Sequence, residues 1–302
     1  MSMSNRLRAR MAPAAIALLL GGCALQMQPV ADFGAAANHL ATTYKPFASG
    51  IAASCEQRER YIALGNAGAF DDAVAERAAA VRCAPLKEAG ATAALFGQAL
   101  ADYASALAKV SGTKATVFDS DIKDLSGAAA KLETKGGTPI FDSHKLGAAT
   151  KIARAAAALA MQDKLQALTR ATLQDNADAL GVVVDAMKTY ADKIYAGQLA
   201  DTRELMAGEL RRLVAASNAP TQGDVEARLP WRYAQAAARA DIQANELEAR
   251  RVRDFSKAAD ALLAAHADLI ANFDKLGGAR RLELVSAFVN QVKALNDDAA
   301  AL

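Results

Sequence analysis

Apolar residues recur along most of this chain at steps of three and four, the spacing that aligns side chains on one face of a helix. The series Val30, Phe33, Ala37, Leu40, Tyr44, Phe47, Ile51, Cys55, Arg58 and Ile62 predicts a first helix. Pro46 lies inside it, removes one backbone donor and should kink it, and Gly65-Asn66-Ala67-Gly68 should end it. A shorter helix is expected from Asp71 through Val74, Ala78 and Val81 to Cys83, stopped by Pro85. The next carries Phe96, Leu100, Tyr103, Leu107 and Val110 and ends at Ser111-Gly112. Ile122, Leu125, Ala129 and Leu132 suggest a further helix over 119–132, before the break at Gly136-Gly137-Thr138-Pro139.

From Ser143 the helical period is almost continuous. Leu146, Ala149, Ala153, Ala156 and Leu159 form a narrow stripe of mostly small side chains, which permits close helix approach. A turn is expected near Gln174-Asp175, with Asp175 capping the next helix. That helix should run from Asn176 to Ser217 on Leu180, Val184, Met187, Ala191, Ile194, Tyr195, Leu199, Met206, Leu210 and Leu213. After a loop bounded by Gly223 and Pro230, a second long helix should run from Trp231 to Lys275. Its stripe is Val252, Phe255, Ala259, Leu262, His266, Leu269, Phe273 and Leu276. Matched lengths predict an antiparallel hairpin over about 176–275. A last helix has Leu282, Val285, Val289 and Val292 on one face and Leu284, Phe288 and Leu295 on another. Alternating patterns and two-residue hairpin turns are absent, and no fixed-period repeat occurs. The fold expected is all-α: an elongated antiparallel helical bundle built on that hairpin, spanning 30–302 with a candidate internal boundary at 136–142.

The first 22 residues read differently. Arg6, Arg8 and Arg10 precede a short apolar run from Met11 to Leu20. The run is too short to cross a bilayer, which takes ~20 apolar residues, but it suits a secretory signal. Leu20-Gly21-Gly22-Cys23 resembles the bacterial lipobox. That resemblance implies cleavage before Cys23, lipid on its sulfur and an acylated new N-terminus; the plainer alternative is an ordinary signal with an incidental cysteine. Acyl chains contribute ~0.8 kcal/mol per buried methylene, so three would hold the protein on a membrane with no transmembrane helix. Ala24, where an Asp would resemble an inner-membrane retention signal, points to the outer membrane facing the periplasm. Residues 23–29 are then a tether. The remaining chain loosely resembles uncharacterised alanine-rich helical envelope lipoproteins of Gram-negative bacteria, which implies a fold and an address but no activity.

Removing the signal changes the charge. The 35 basic residues fall to 32 against 33 acidic, so the formal net charge of +2 becomes about −1 and the electrostatic case for nucleic acid disappears. With Cys23 assigned to lipid, Cys55 and Cys83 remain as an even pair in an oxidising compartment and read as a disulfide; the alternative is two buried thiols. With helices ending near 63 and starting near 70, the cysteines would sit ~12 and ~20 Å from the turn. A bridge, whose Cα atoms must approach within ~7 Å, would then need an irregular turn or unwinding before Pro85.

Candidate chemistry is sparse. His39, His144 and His266 lie at no ligand spacing; His266, in a strong apolar stripe, reads as a core histidine bonded to a neighbouring helix. No metal-binding cluster, serine elbow, phosphate loop or C-x-x-C pair occurs, so no cofactor or metal is expected. Asp71-Asp72 and Asp119-Ser120-Asp121 fit helix starts, where the dipole favours negative charge. Arg250-Arg251 with Arg253, and Arg280-Arg281, could meet anionic lipid headgroups or a phosphorylated partner, or be a solvated face beside Glu246, Glu248 and Glu283. The expectation is a non-enzymatic, lipid-anchored protein-binding or scaffolding module with an envelope protein as partner. The alternatives are a small-ligand carrier with an interhelical pocket and an enzyme whose site is assembled across helices. Cys23→Ala should abolish lipid attachment; intact-mass analysis showing a mature N-terminus elsewhere, without acyl chains, would refute the lipobox reading.

Overall fold

The computed structural model describes residues 27–66, 70–109, 141–160, 166–218, 225–276 and 283–300. All of its regular structure is helical: α1 Gln28–Gly65, α2 Asp72–Lys109, α3 Ser143–Ala160, α4 Gln166–Asp175, α5 Ala177–Thr189, a π-helical turn Tyr190–Tyr195, α6 Ala196–Asn218, α7 Val225–Ala271, a 3-10 turn Phe273–Lys275 and α8 Glu283–Ala300. Cys23, the expected helix over 119–132 and most of the boundary at 136–142 lie outside the described residues. The tether is shorter than expected at its far end, because Gln28 and Pro29 are already helical and Met27 is buried. Proline in the first turn needs no amide donor, which suits Pro29.

Helix α1 is the centre of the bundle. Val30, Phe33, Ala37, Leu40, Tyr44, Phe47, Ile51 and Cys55 are all buried, as the periodicity requires. Against it α2 runs antiparallel and unusually close. A Cβ on Gly90 would lie 2.1 Å from the Ala48 carbonyl oxygen, one on Gly34 2.5 Å from the Ala108 nitrogen, and one on Gly97 2.9 Å from the Tyr44 ring. Those three contacts, on Ala108, Tyr44 and Ala48, follow the pair from one end toward the Cys55–Cys83 disulfide at the other. The Cα atoms of the bridge are 5.8 Å apart.

The bridge corrects one expectation. Helix α1 runs to Gly65 and α2 begins at Asp72, so the cysteines stand ten and eleven residues from the turn, or ~15 and ~16 Å along nearly matched helices. No unwinding is required, and Pro85 does not stop α2: one 38-residue helix continues through it. Pro85 denies a donor to the Val81 carbonyl. Val81 is exposed, so water can satisfy that oxygen, while Cys83 and Ala89 are buried on either side and hold the helix in place. Pro46 is likewise interior to α1, and Pro230 lies inside α7 rather than bounding a loop; both are exposed. The expected inward residues Val74 and Val81 face solvent instead.

The hairpin of α5, α6 and α7 is present and antiparallel. The contact partners run in opposite directions: Lys188 with Asp260, Asp192 with Ser256 at 2.6 Å, Tyr195 with Glu248 at 3.4 Å and the Leu213 carbonyl with Gln235 at 3.3 Å. Every residue of the α7 stripe from Val252 to Leu276 is buried. The break before α5 falls on Asn176, one residue after the expected cap, and the Asn176 side chain bonds back to the Thr172 carbonyl at 2.8 Å rather than capping forward. In α8, Val285, Phe288, Val292 and Leu295 form a single inward face and Leu284 is exposed, so the two-face assignment does not hold.

The rings of Tyr44, Phe47, Tyr190, Tyr195 and Phe255 fill the centre, with neighbouring centroids 5.4 to 6.5 Å apart. Phe141 stacks on Phe96 at 4.6 Å and ties the start of α3 to α2.

The glycine contacts set a test. Gly90→Ala places a methyl against backbone that cannot rotate away, and should cost about 1–3 kcal/mol by forcing α1 and α2 apart. Gly181→Ala meets nothing within 4 Å and should gain up to ~1 kcal/mol from helix propensity. Denaturant titration of the two variants checks both signs.

Candidate functional site

His266 projects from the α7 stripe into the base of the bundle. Its Nε2 lies 3.2 Å from the Tyr103 hydroxyl of α2, and its ring faces Phe33 at 5.7 Å. The residue is 3% exposed. Burial among these rings pushes its pKa down to about 4 and raises that of the Tyr103 hydroxyl. A neutral imidazole hydrogen-bonded to a protonated tyrosine in an apolar layer is a satisfied core pair. His39 and His144 are exposed on α1 and α3, so the three histidines form no cluster. Among the described residues no group of three or more His, Cys, Asp or Glu could hold a metal ion, and no helix is long and apolar enough to cross a membrane.

The opposite end of the bundle is built around the disulfide. Glu59, one turn beyond Cys55, is 8% exposed; its carboxylate takes Arg58 at 3.1 Å on one oxygen and Arg82 at 2.5 Å on the other. Arg82 immediately precedes Cys83, so the bridge and the ion pair fix the same register. Nearby, the Tyr61 hydroxyl donates to Asp241 of α7 at 2.7 Å. The buried Ser54 and Thr202 hydroxyls meet at 3.2 Å, and Thr202 also donates to the Gln198 carbonyl at 2.8 Å. Arg212 of α6 donates to the Leu64 and Gly65 carbonyls at 3.1 and 3.3 Å, placing a cation at the negative end of the α1 dipole. These groups lock α1, α2, α6 and α7 together at this end.

Outside that lock four large apolar side chains reach solvent among the exposed charges of Arg60, Asp72, Glu76 and Arg77. Leu64 and Phe70 flank the α1–α2 turn at 42% and 45% exposure, and Val74 and Val81 follow on α2 at 53% and 75%. Between the two helices, Glu56, Arg60, Ala75, Glu76, Ala79 and Ala80 line an open hollow of about 260 Å³. Asp71 has a structural duty, capping α2 by accepting the Val74 amide at 3.0 Å. Of the basic groups, Arg251 pairs with Glu248 at 3.1 Å, whereas Arg250 and Arg253 face solvent. Arg280, Arg281 and the Asp119-Ser120-Asp121 group lie outside the described residues.

The chain matches no protein-family model, no curated protein and no solved structure.

Glu59 escaped the periodicity reading, which stepped from Cys55 to Arg58. The step of four leads to Glu59, an acid in an inward position, with an arginine directly before the second cysteine as its partner.

The depressed His266 pKa gives a sign for pH. Below its ordinary value of 6.5, the unfolded chain takes up a proton that the folded chain refuses. Stability should therefore be intact above about pH 6.5 and fall as pH drops toward 4, by about 2 kcal/mol between pH 7 and 5. Comparing wild type with His266→Gln by denaturant titration isolates the effect; equal pH dependence in both would refute it.

Proposed function

We infer that this chain is a periplasmic lipoprotein held through lipid on Cys23, at the outer membrane of a Gram-negative envelope, and that its bundle is a protein-binding or scaffolding module. The observation that carries the reading is the apolar surface at the α1–α2 turn. Isolated exposed apolar residues are ordinary, but a large side chain at 75% exposure beside three others marks a contact surface. Its location supports the same reading. Met27 stands four residues after Cys23, and α1 rises from there over 38 residues, or ~57 Å. The apolar surface is thus carried at the end of α1 remote from Cys23, where another envelope protein can reach it. The hollow beside Glu56 and Arg60 is open and edged by charge, so it suits a polar side chain of a partner better than an enclosed apolar ligand.

Phe70→Ser with Val81→Asp removes the apolar surface at exposed positions, where substitutions generally stay within about 0.5 kcal/mol of wild type. Capture from crosslinked envelopes should lose the partner recovered with wild type. Leu284→Ser, an exposed apolar residue at the other end of the bundle, should keep it. Equal recovery by the double variant and wild type would refute docking at the α1–α2 turn.

A further inference from the structure

Helix α7 has a second organised face, opposite its core stripe. At ~100° per residue, Arg232, Arg239, Arg250, Arg253 and Lys257 fall within a band ~60° wide. All five are exposed. Lys257 has Asp254 beside it at 2.8 Å, itself 40% exposed; the four arginines make no ion pair with a described residue. Between Arg232 and Lys257 Glu246 is the one acidic residue in the band; Asp268 follows eleven residues beyond Lys257. Alongside runs an apolar line on the same outward side: Leu229 at 46% exposure, Tyr233 at 70%, then exposed Ala236, Ala240 and Ala244. The inward side of the same helix, from Ala238 through Val252, Phe255 and Leu262, is buried. No described element covers the outward one.

We propose that the outward face of α7 lies on an anionic phospholipid surface, with the arginines on headgroup phosphates and Leu229, Tyr233 and the alanines at the acyl boundary. A row of cations ~38 Å long from Arg232 to Lys257, beside an apolar row on one continuous helix, matches a surface that offers negative charge and apolar contact together. An acidic polypeptide would satisfy the charge but leave the extended apolar row without a partner. Arginine stems and a tyrosine ring are the side chains that tolerate the headgroup layer, since each has an apolar body and a polar tip. Contact along α7 lays the bundle on its side and leaves Val74 and Val81 of α2 available to a protein partner. The inference does not need lipid on Cys23.

The single tryptophan of the chain, Trp231, shares the inward azimuth of Ala238, so the reporter is moved onto the apolar line: Trp231→Phe removes it and Tyr233→Trp, at a position 70% exposed, replaces it. The full-length purified protein is mixed with vesicles of phosphatidylcholine alone or with phosphatidylglycerol, each containing brominated phospholipid. Sedimentation with neutral vesicles reads the acyl anchor; quenching of the introduced indole reads contact by the outward face of α7. Quenching should appear with phosphatidylglycerol and vanish at high salt. Replacing Arg232, Arg239, Arg250 and Arg253 by Gln should raise the anionic lipid needed by about tenfold or more, at roughly fivefold per cation at most. Arg77→Gln with Arg154→Gln, exposed on α2 and α3, should behave as wild type. Absence of quenching with anionic vesicles in folded protein, or equal quenching in the four-Gln variant, would overturn the proposal. So would protection of the introduced indole from aqueous quencher by polyglutamate but not by vesicles, which would assign the face to an acidic protein.

Discussion

The contact between Gly90 and the Ala48 carbonyl sets the scale of the whole bundle. Where a backbone touches a backbone, the two helix axes are as near as the chain allows, and everything else must pack around that pair. Gly34 repeats the arrangement against the Ala104 and Ala108 backbone toward one end, Gly97 receives the Tyr44 ring between them, and the Cys55–Cys83 bridge fixes the pair toward the other end. Many of the side chains nearby are alanine, each removing little apolar area from water, so the stabilisation has to come from dense dispersion contact rather than from large buried surfaces. The exception is the central layer, where Tyr44 sits on Gly97 and meets Phe47, Tyr190 and Phe255. Small residues bring α1 to α2; rings fill the wider gap to α5 and α7.

Most of the architecture was legible because burial follows a short-range pattern. The stripe from Val30 to Cys55 and the one from Val252 to Leu276 name the core faces of α1 and α7 without error, and the disulfide followed from counting cysteines. Proline was over-read. At Pro85 and Pro230 the lost hydrogen bond lies on an exposed surface where water replaces it, so the local penalty is outweighed by burial of residues before and after. The close approach at Gly90 could not be read, because a glycine in a helix looks the same whether it faces solvent, as a weak point, or a carbonyl from another helix. The candidate surfaces were legible only in fragments. Arg250 and Arg253 stood out as a cluster, and Arg232, Arg239 and Lys257 lay within the helix expected from Trp231 to Lys275, but reading adjacent charges as clusters misses a face whose members are 3 to 11 residues apart. In the sequence Val74 and Val81 read as the inward face of a short helix, and the extension of α2 beyond Pro85 is what turns Val81 outward.

The two surfaces divide the molecule. The α1–α2 end is stapled by sulfur, by Glu59 with two arginines and by Arg212 on the end of α1, and it displays Leu64, Phe70, Val74 and Val81 among charges of both signs, Arg60, Arg77 and Arg82 with Asp72 and Glu76. The flank of α7 displays guanidinium groups in a line. One surface suits a shape and the other suits a charged plane, and they point away from different helices, so occupation of one does not block the other.

The π-helical turn from Tyr190 to Tyr195 leaves a trace in the burial pattern. Between Met187 and Leu199 the buried positions advance by four three times running, through Ala191 and Tyr195, wider than the 3.6 of an α-helix. The turn therefore behaves as one surplus residue absorbed in place. Taking a residue out would regularise the hydrogen bonding yet rotate everything after it by ~100°, swinging Thr202 off Ser54 and Met206 out of the core while leaving α5 undisturbed. The long hairpin arm is thus two helical faces of different phase joined by a spacer, and the length of that spacer, more than any side chain in it, keeps the lower half of α6 turned toward α1.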